Sequence, residues 1–369
     1  MALGIYVHIP FCRAKCKYCD FNSYPGMELW KAPYVDALCR EIQNSSVGGT
    51  VDTVYFGGGT PTVLGPEQLI RILEALRKRF VLTQDCEITA ECNPATMGYE
   101  GFRKLRSAGF NRLSIGLQSS DDAMLRSLGR IHTFREFGDC FASARKAGFS
   151  NLSLDLIYGL PGQTQKGWTE TLEKALDFHP EHISCYALKI EEGTPFAQMN
   201  LELPNDDEVR EMYDFCVDKL EAEGLKRYEI SNFARPEYES RHNCKYWLCD
   251  DFLGFGAGAY SCAENCRWDN FRDVAQYCRA VNEKNSAAAE MIPLTAEDQM
   301  SEFCFLGLRM VRGIDTDEFE RRFGRRIEAV YGRALEKNFK RGTLRTAEGR
   351  IFIPSEWLYV SNGILVDFV

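Results

Sequence analysis

A chain of 369 residues, 45% of them hydrophobic and with a formal charge of −9, has enough apolar material for a large α/β unit and a smaller partner domain. It carries no Lys/Arg-rich block, which argues against a nucleic-acid binder, and no apolar run near the about 20 residues that a membrane span requires. Met1-Ala2-Leu3-Gly4 leads straight into a strand-like segment without a signal-peptide pattern, so a cytoplasmic setting with reduced thiols is expected for the fifteen cysteines.

In chain order, β-rich runs are predicted at 4–9, 53–56, 87–90, 112–116, 152–157 and 182–186, with amphipathic helices between them, among them 32–44, 66–80 and 134–147. In 66–80, Leu69, Ile70, Leu73, Leu76 and Phe80 recur at helical spacing while Arg71, Arg77, Lys78 and Arg79 face away. Pro66 suits a first helical turn, and Gly109 and Gly148 mark helix ends. Strand–helix units repeated in this way imply a parallel sheet, and six of them make a partial (β/α)6, TIM-like barrel over residues 1–235. The alternation then stops. Residues 236–293 read as a connector rich in aromatic, glycine and cysteine residues. Residues 294–369 read as a small α+β domain, with an N-capped start at Thr295, helices at 315–323 and 327–340, and short strands at 350–354 and 358–360.

Chemistry concentrates at Cys12, Cys16 and Cys19, whose C-x3-C-x2-C spacing gathers three thiols on one loop. Three thiolates can hold three irons of a [4Fe–4S] cube and leave the fourth open. A zinc site would need a further ligand, and His8 lies inside the first strand. Tyr18 and Phe21 flank Cys19 and suit shielding of a cluster. The second motif, Gly57-Gly58-Gly59-Thr60-Pro61-Thr62, follows the second strand, where glycines let the backbone approach a ligand; alone it could be a tight turn. Polar residues stand near the ends of later strands: Glu91, Gln118, Asp155 within Leu154-Asp155-Leu156, and Arg130 in a following loop. Each taken singly is as compatible with a satisfied structural polar group as with a ligand contact. Cys39, Cys140, Cys216, Cys278 and Cys304 are expected to be core residues. Cys244, Cys249, Cys262 and Cys266 have spacings that match no metal-site pattern.

Together these motifs resemble the radical S-adenosylmethionine superfamily, and within it the oxygen-independent coproporphyrinogen III oxidase group. The stretches YVHIPFC-x3-C-x2-CDF, GGGTPT and DLIYGLPGQT carry the resemblance, which extends over nearly the whole chain and its C-terminal domain. It implies a radical S-adenosylmethionine barrel with a [4Fe–4S] cluster on Cys12, Cys16 and Cys19. It also implies S-adenosylmethionine contacts from Tyr6, Tyr18, Gly58, Gly59, Thr60, Glu91, Gln118, Arg130, Asp155 and Ala187.

Two features point to the heme-chaperone branch of that group. The first cluster cysteine lies only twelve residues in, where the oxidase branch has an added N-terminal segment, and His242-Asn243-Cys244-Lys245-Tyr246-Trp247 resembles the HNxxYW hallmark. Imidazole is a common axial ligand, which makes His242 the candidate for heme iron. The alternative is that His242 and Asn243 hydrogen-bond a loop while Tyr246 and Trp247 pack. Tyr260 stands where many relatives have a histidine, which weakens a histidine assignment there without excluding heme. The resemblance therefore implies heme as a ligand, an acceptor protein with peripheral membrane contact through it, and an electron donor. Oxidative decarboxylation of coproporphyrinogen III to protoporphyrinogen IX is the alternative activity.

Overall fold

In the computed structural model, which describes residues 2–369, β1 (Leu3–Ile9) is covered on both sides, and all of its residues but Tyr6 are buried. The cysteine loop follows, held by the short parallel pair β2 (Phe11–Cys12) and β3 (Tyr24–Pro25). The repeating part then runs α1 (Lys31–Gln43), β4 (Thr50–Gly58), α2 (Pro66–Arg79), β5 (Val81–Cys92) and α3 (Tyr99–Ala108). It continues through β6 (Arg112–Gln118), α4 (Asp122–Ser127), α5 (Phe134–Lys146), β7 (Leu152–Tyr158), α6 (Gln165–Leu176) and β8 (His182–Ala187). Strands β1, β4, β5, β6, β7 and β8 pair in that order, each parallel to the one before. This is the expected partial (β/α)6 barrel, with all six strand ends opening on one rim.

Local chemistry accounts for the element limits. Thr133 and Glu136 close a capping box at the start of α5, and Thr164 caps α6 through Gly167 N–H. On α2 the buried residues are Leu69, Ile72, Leu73, Ala75 and Leu76, so Ile72 takes the inner position that the spacing gave to Ile70. Burial of each such large aliphatic side chain is worth about 1.5–3 kcal/mol. Cys39, Cys140, Cys216, Cys278 and Cys304 are buried among apolar neighbours.

After α7 (Asp206–Ala222), β9 (Lys226–Arg227) and β10 (Asn232–Ala234) run antiparallel beyond β8. The segment expected to be a connector is instead built structure. It comprises α8 (Arg241–Trp247), β11 (Phe252–Phe255), β12 (Tyr260–Ala263), β13 (Cys266–Asn270), α9 (Val274–Lys284) and β14 (Ala288–Pro293). Strand β11 lies parallel to β1 on its free side, and β12, β13 and β14 extend the sheet to twelve strands. Its strands are short, so periodicity alone does not reveal them. A buried carboxylate holds the extension to the barrel: Glu41 on α1 accepts hydrogen bonds from Gly256 N–H (2.9 Å), Tyr277 O–H (2.6 Å) and Asn270 Nδ2 (2.6 Å).

The C-terminal part comprises α10 (Ala296–Gly307), β15 (Ile314–Asp315), α11 (Thr316–Phe323), α12 (Ile327–Arg341), β16 (Arg345–Ala347), β17 (Arg350–Phe352) and α13 (Asn362–Leu365). It packs an apolar cluster of its own that includes Met300, Phe303, Phe319, Leu335, Ile351 and Leu358. The run at 358–360, expected as a strand, belongs to a 3-10 helix at Ser355–Val360. Pro354 sets this turn, with Trp357 N–H donating to its carbonyl at 2.9 Å, and Leu358 is thereby directed inward. Among the described residues no helix is long and apolar enough to cross a membrane.

Candidate cofactor site

The loop after β1 is held by its backbone and leaves its thiols available. Tyr24 N–H donates to Pro10 O, Lys17 N–H to Leu128 O, and the Lys15 ammonium reaches the Ser23 hydroxyl at 2.8 Å. The end of β4 docks onto the same loop: Gly59 N–H donates to Ile9 O and Thr60 N–H to Phe11 O, each at 2.8 Å. Only glycine fits at 59, since a Cβ there would lie 2.7 Å from Phe11 O and 2.9 Å from the Cys12 sulfur. At Gly58, φ is +112°, which side-chain-bearing residues rarely adopt.

Cys12, Cys16 and Cys19 are free, partly exposed thiols that line one open cavity of about 130 Å³. Burial raises the thiol pKa of Cys12 and of Cys19. Arg130 places its guanidinium 3.7 Å from the Cys16 sulfur. Among the described residues no three His, Cys, Asp or Glu side chains converge on a single-ion position, so the triad lacks the closed geometry of a zinc site. Three free thiols lining one cavity are the donor set of an iron–sulfur cube with one open corner, and the residues present fit that group.

The opposite wall comes from the strand ends. Glu91 accepts from Tyr55 O–H at 2.8 Å and Gly58 N–H at 3.2 Å. Burial raises its pKa to about 7, with the hydrogen bond from Tyr55 opposing and the nearby Asp155 adding to the rise. Burial also raises Asp155, which accepts from Ser114 O–H at 3.2 Å. Arg130 donates to Asn93 Oδ1 (2.6 Å) and Gly116 O (2.8 Å), and Asn93 in turn donates to Thr60 Oγ1 at 2.7 Å. Gln118 ends β6 with φ +70°, a strained conformation held next to the site. Asn93, Ser114 and Tyr55 were not singled out from the sequence. Strand parity could have found two of them, since Ser114 shares the inward face of β6 with Gly116, and Tyr55 sits on the inward side of β4.

A second cavity of about 460 Å³ adjoins the first and shares Tyr18, Phe21, Glu91, Ser114, Gln118 and Asp155 with it. Ala187 lines this second space. The structure thus brings together Tyr18, Gly58, Gly59, Thr60, Glu91, Gln118, Arg130, Asp155 and Ala187 around two joined cavities. Tyr6 stands behind the wall. Its hydroxyl pairs with His8 Nδ1 at 3.0 Å, and its ring stacks on Tyr55.

His242 does not offer an open ligand position. It is 1% exposed, with Nδ1 hydrogen-bonded to Thr53 Oγ1 at 3.0 Å and Nε2 to Tyr246 Oη at 2.8 Å. Burial, with Lys245 and Arg112 adding, lowers its pKa to about 3 and keeps the ring neutral. Both ring nitrogens are engaged within the fold, one by a β4 hydroxyl and one by Tyr246 of the same helix. Tyr260 is exposed on β12, well apart in sequence from the barrel strands. Cys244 opens on a different cavity from Cys249 and Cys262.

Comparison with known proteins agrees with this architecture. The family model for the radical SAM superfamily matches residues 6–175, and that for the HemN C-terminal domain matches residues 294–356. The heme chaperone HemW of Bacillus subtilis is 35% identical over 372 residues, covering 99% of this chain and 98% of that protein. HemW of Escherichia coli is 38% identical over 262 residues, covering 70% of this chain and 69% of that protein. The solved structure of coproporphyrinogen III oxidase (HemN) from Escherichia coli, a radical SAM enzyme, superposes with a TM-score of 0.89 at 26% identity, covering 100% of this chain and 90% of that one. A six-stranded parallel barrel with a cysteine triad at its rim, a matching C-terminal domain and this full-length similarity place the chain in the HemW family of radical SAM proteins.

Proposed function

We propose that this chain binds heme and passes it to an acceptor protein, on a scaffold that also holds a [4Fe–4S] cluster and S-adenosylmethionine. The observation that carries the reading is the 35% identity with the Bacillus subtilis heme chaperone along 99% of the chain. The geometry supports the cofactor part: the thiols of Cys12, Cys16 and Cys19, a glycine strand end and the polar side chains of Glu91, Gln118, Arg130 and Asp155 line one cavity.

In this reading Cys12, Cys16 and Cys19 hold the cluster, and Arg130 donates toward the Cys16 sulfur. When bound, the cluster and S-adenosylmethionine would supply one-electron chemistry that the side chains cannot. The Glu91 carboxylate, reached by Gly58 N–H, is placed to accept from a ligand ammonium. The β4 end at Gly58, Gly59 and Thr60 brings backbone close enough for direct contact, and Asp155 and Gln118 offer acceptors and an amide for ligand hydroxyls. An electron donor and a membrane-associated acceptor complete the scheme as partners.

The test is a heme titration of anaerobically reconstituted protein. A saturable heme absorption band that persists through gel filtration is expected, with the cluster intact. No such band, with full iron and sulfide content, would sink the proposal. The TM-score of 0.89 with the Escherichia coli oxidase favours one second reading, decarboxylation of coproporphyrinogen III. Protein given both heme and coproporphyrinogen III under anaerobic reducing conditions is expected to retain the first and leave the second unconverted. Protoporphyrinogen formation would reverse the ranking.

A further inference from the structure

The inner part of the second cavity holds a charge that the cofactor wall does not use. Arg112 begins β6 and shares its inward parity with Ser114, Gly116 and Gln118. Six residues of strand separate Arg112 from Gln118, about 20 Å along the backbone, so Arg112 enters the cavity from the end of β6 away from the rim. The side chain is 2% exposed and lines the cavity. Yet it makes no hydrogen bond and no ion pair with any described residue, and its Nε is sealed without a partner. Arginine cannot shed its charge by losing a proton, so a buried guanidinium without a direct partner is held at a cost.

The acids that share the cavity attract the guanidinium at a distance and do not contact it. Glu91 is engaged by Tyr55 and Gly58, Asp155 by Ser114, and burial favours the neutral form of both. Around Arg112, His182 pairs with Ser153 and Tyr228, and His242 pairs with Thr53 and Tyr246. One neighbour of His242 differs. Asn243 lines the same cavity, and its side-chain amide has no hydrogen-bond partner among the described residues. The remaining wall combines Tyr18, Tyr55, Ile157 and Leu188 with the charged Asp20, Lys189 and Glu191. A buried guanidinium without a hydrogen bond and a free amide, in a cavity that also has aromatic and aliphatic walls, form a receptor for the acid edge of a flat molecule.

We propose that Arg112, assisted by Asn243, anchors a carboxylate of the ligand that fills this cavity. The identity of the ligand rests on the function proposed above: for a heme carrier the carboxylate is a heme propionate. The porphyrin is then oriented by its acid edge, not by His242.

The experiment titrates reconstituted full-length protein with heme and with heme dimethyl ester, in which both propionates are masked. Wild type is expected to bind heme about tenfold or more tightly than the ester. Arg112→Gln is expected to weaken heme about 10–100-fold and to leave ester affinity unchanged, and Arg112→Lys to recover part of the loss. Asn243→Asp, which leaves the barrel interior intact, is expected to weaken heme and not the ester. Equal weakening of heme and ester by Arg112→Gln would mean that Arg112 only holds the barrel together, and would overturn the anchor. So would a wild type that does not distinguish the two ligands. Coproporphyrin III separates the two claims. Its Arg112-dependent binding without heme binding removes the heme assignment and supports the anchor. Failure of wild type to bind any of the three overturns both.

Discussion

The cysteine loop and helix α8 flank the same barrel, and they treat their polar atoms in opposite ways. Cys12, Cys16 and Cys19 leave their sulfurs facing a cavity while backbone bonds to Leu128, Pro10 and the end of β4 hold the loop in shape. On α8 the polar atoms are turned inward and paired. Glu87 accepts from the backbone N–H groups of Arg241 and His242, Lys245 pairs with Asp52 at 2.9 Å, and both nitrogens of His242 have partners. Asn243, which faces the second cavity, and Trp247, whose Nε1 is buried without a partner, are exceptions. A group that is to meet a ligand has to be left unsatisfied by the fold, whereas a satisfied buried group contributes to stability.

The largest test of this contrast is at the loop. Replacement of Cys12, Cys16 or Cys19 by Ala is expected to abolish iron and sulfide incorporation on anaerobic reconstitution, while circular dichroism and melting temperature stay near wild type. A variant that still loads a full cluster would refute the ligand assignment. The mirror experiment is His242→Ala. Loss of the ring orphans the Thr53 and Tyr246 hydroxyls and opens a cavity, so stability should fall by about 2–4 kcal/mol. Heme affinity should change by less than about threefold, under 1 kcal/mol. Abolished heme binding in a folded His242→Ala protein would restore the histidine as a ligand and break the comparison.

Gly59→Ala probes the seam between loop and barrel. Its Cβ would press on Phe11 O and the Cys12 sulfur, so a stability loss of about 1–3 kcal/mol is expected, together with lower iron content. Unchanged urea midpoint and iron content would show that the seam is loose. The smallest effect concerns Glu91 in cofactor-free protein. Its pKa is about 7 in the fold against a reference of 4.5, so the native state holds an extra proton between those values. The stability this contributes is complete below the lower value and is lost as pH rises through the upper one, on the order of 2 kcal/mol in total. Glu91→Gln cannot titrate and should flatten that part of the curve of melting temperature against pH. An identical slope in wild type and variant would place the carboxyl at its ordinary value.

Much of the scaffold is legible in the chain because it follows from local rules. The helix at Phe134–Lys146 is marked by Thr133 and Glu136 at capping-box spacing, and the six barrel strands are short apolar runs between amphipathic segments. The extension at β11–β14 was not legible. Its strands are brief, and its attachment depends on Glu41, a residue more than two hundred positions away from the Gly256 and Asn270 groups it binds. The 3-10 helix at Ser355–Val360 was also misread, because an apolar run of that length fits strand or helix until packing decides.

At the site, residue types and spacing determined the cysteine triad, the GGGTPT strand end and the acids and arginine around them, since each is a short motif whose chemistry is carried by its own side chains. Which polar atoms remain free was decided only by the tertiary structure. His242 and Asn243 are adjacent in the chain, yet one is sealed by Thr53 and Tyr246 and the other opens on a cavity beside Arg112. Hydrogen-bond saturation of a buried group depends on partners from distant strands, and no local pattern encodes it.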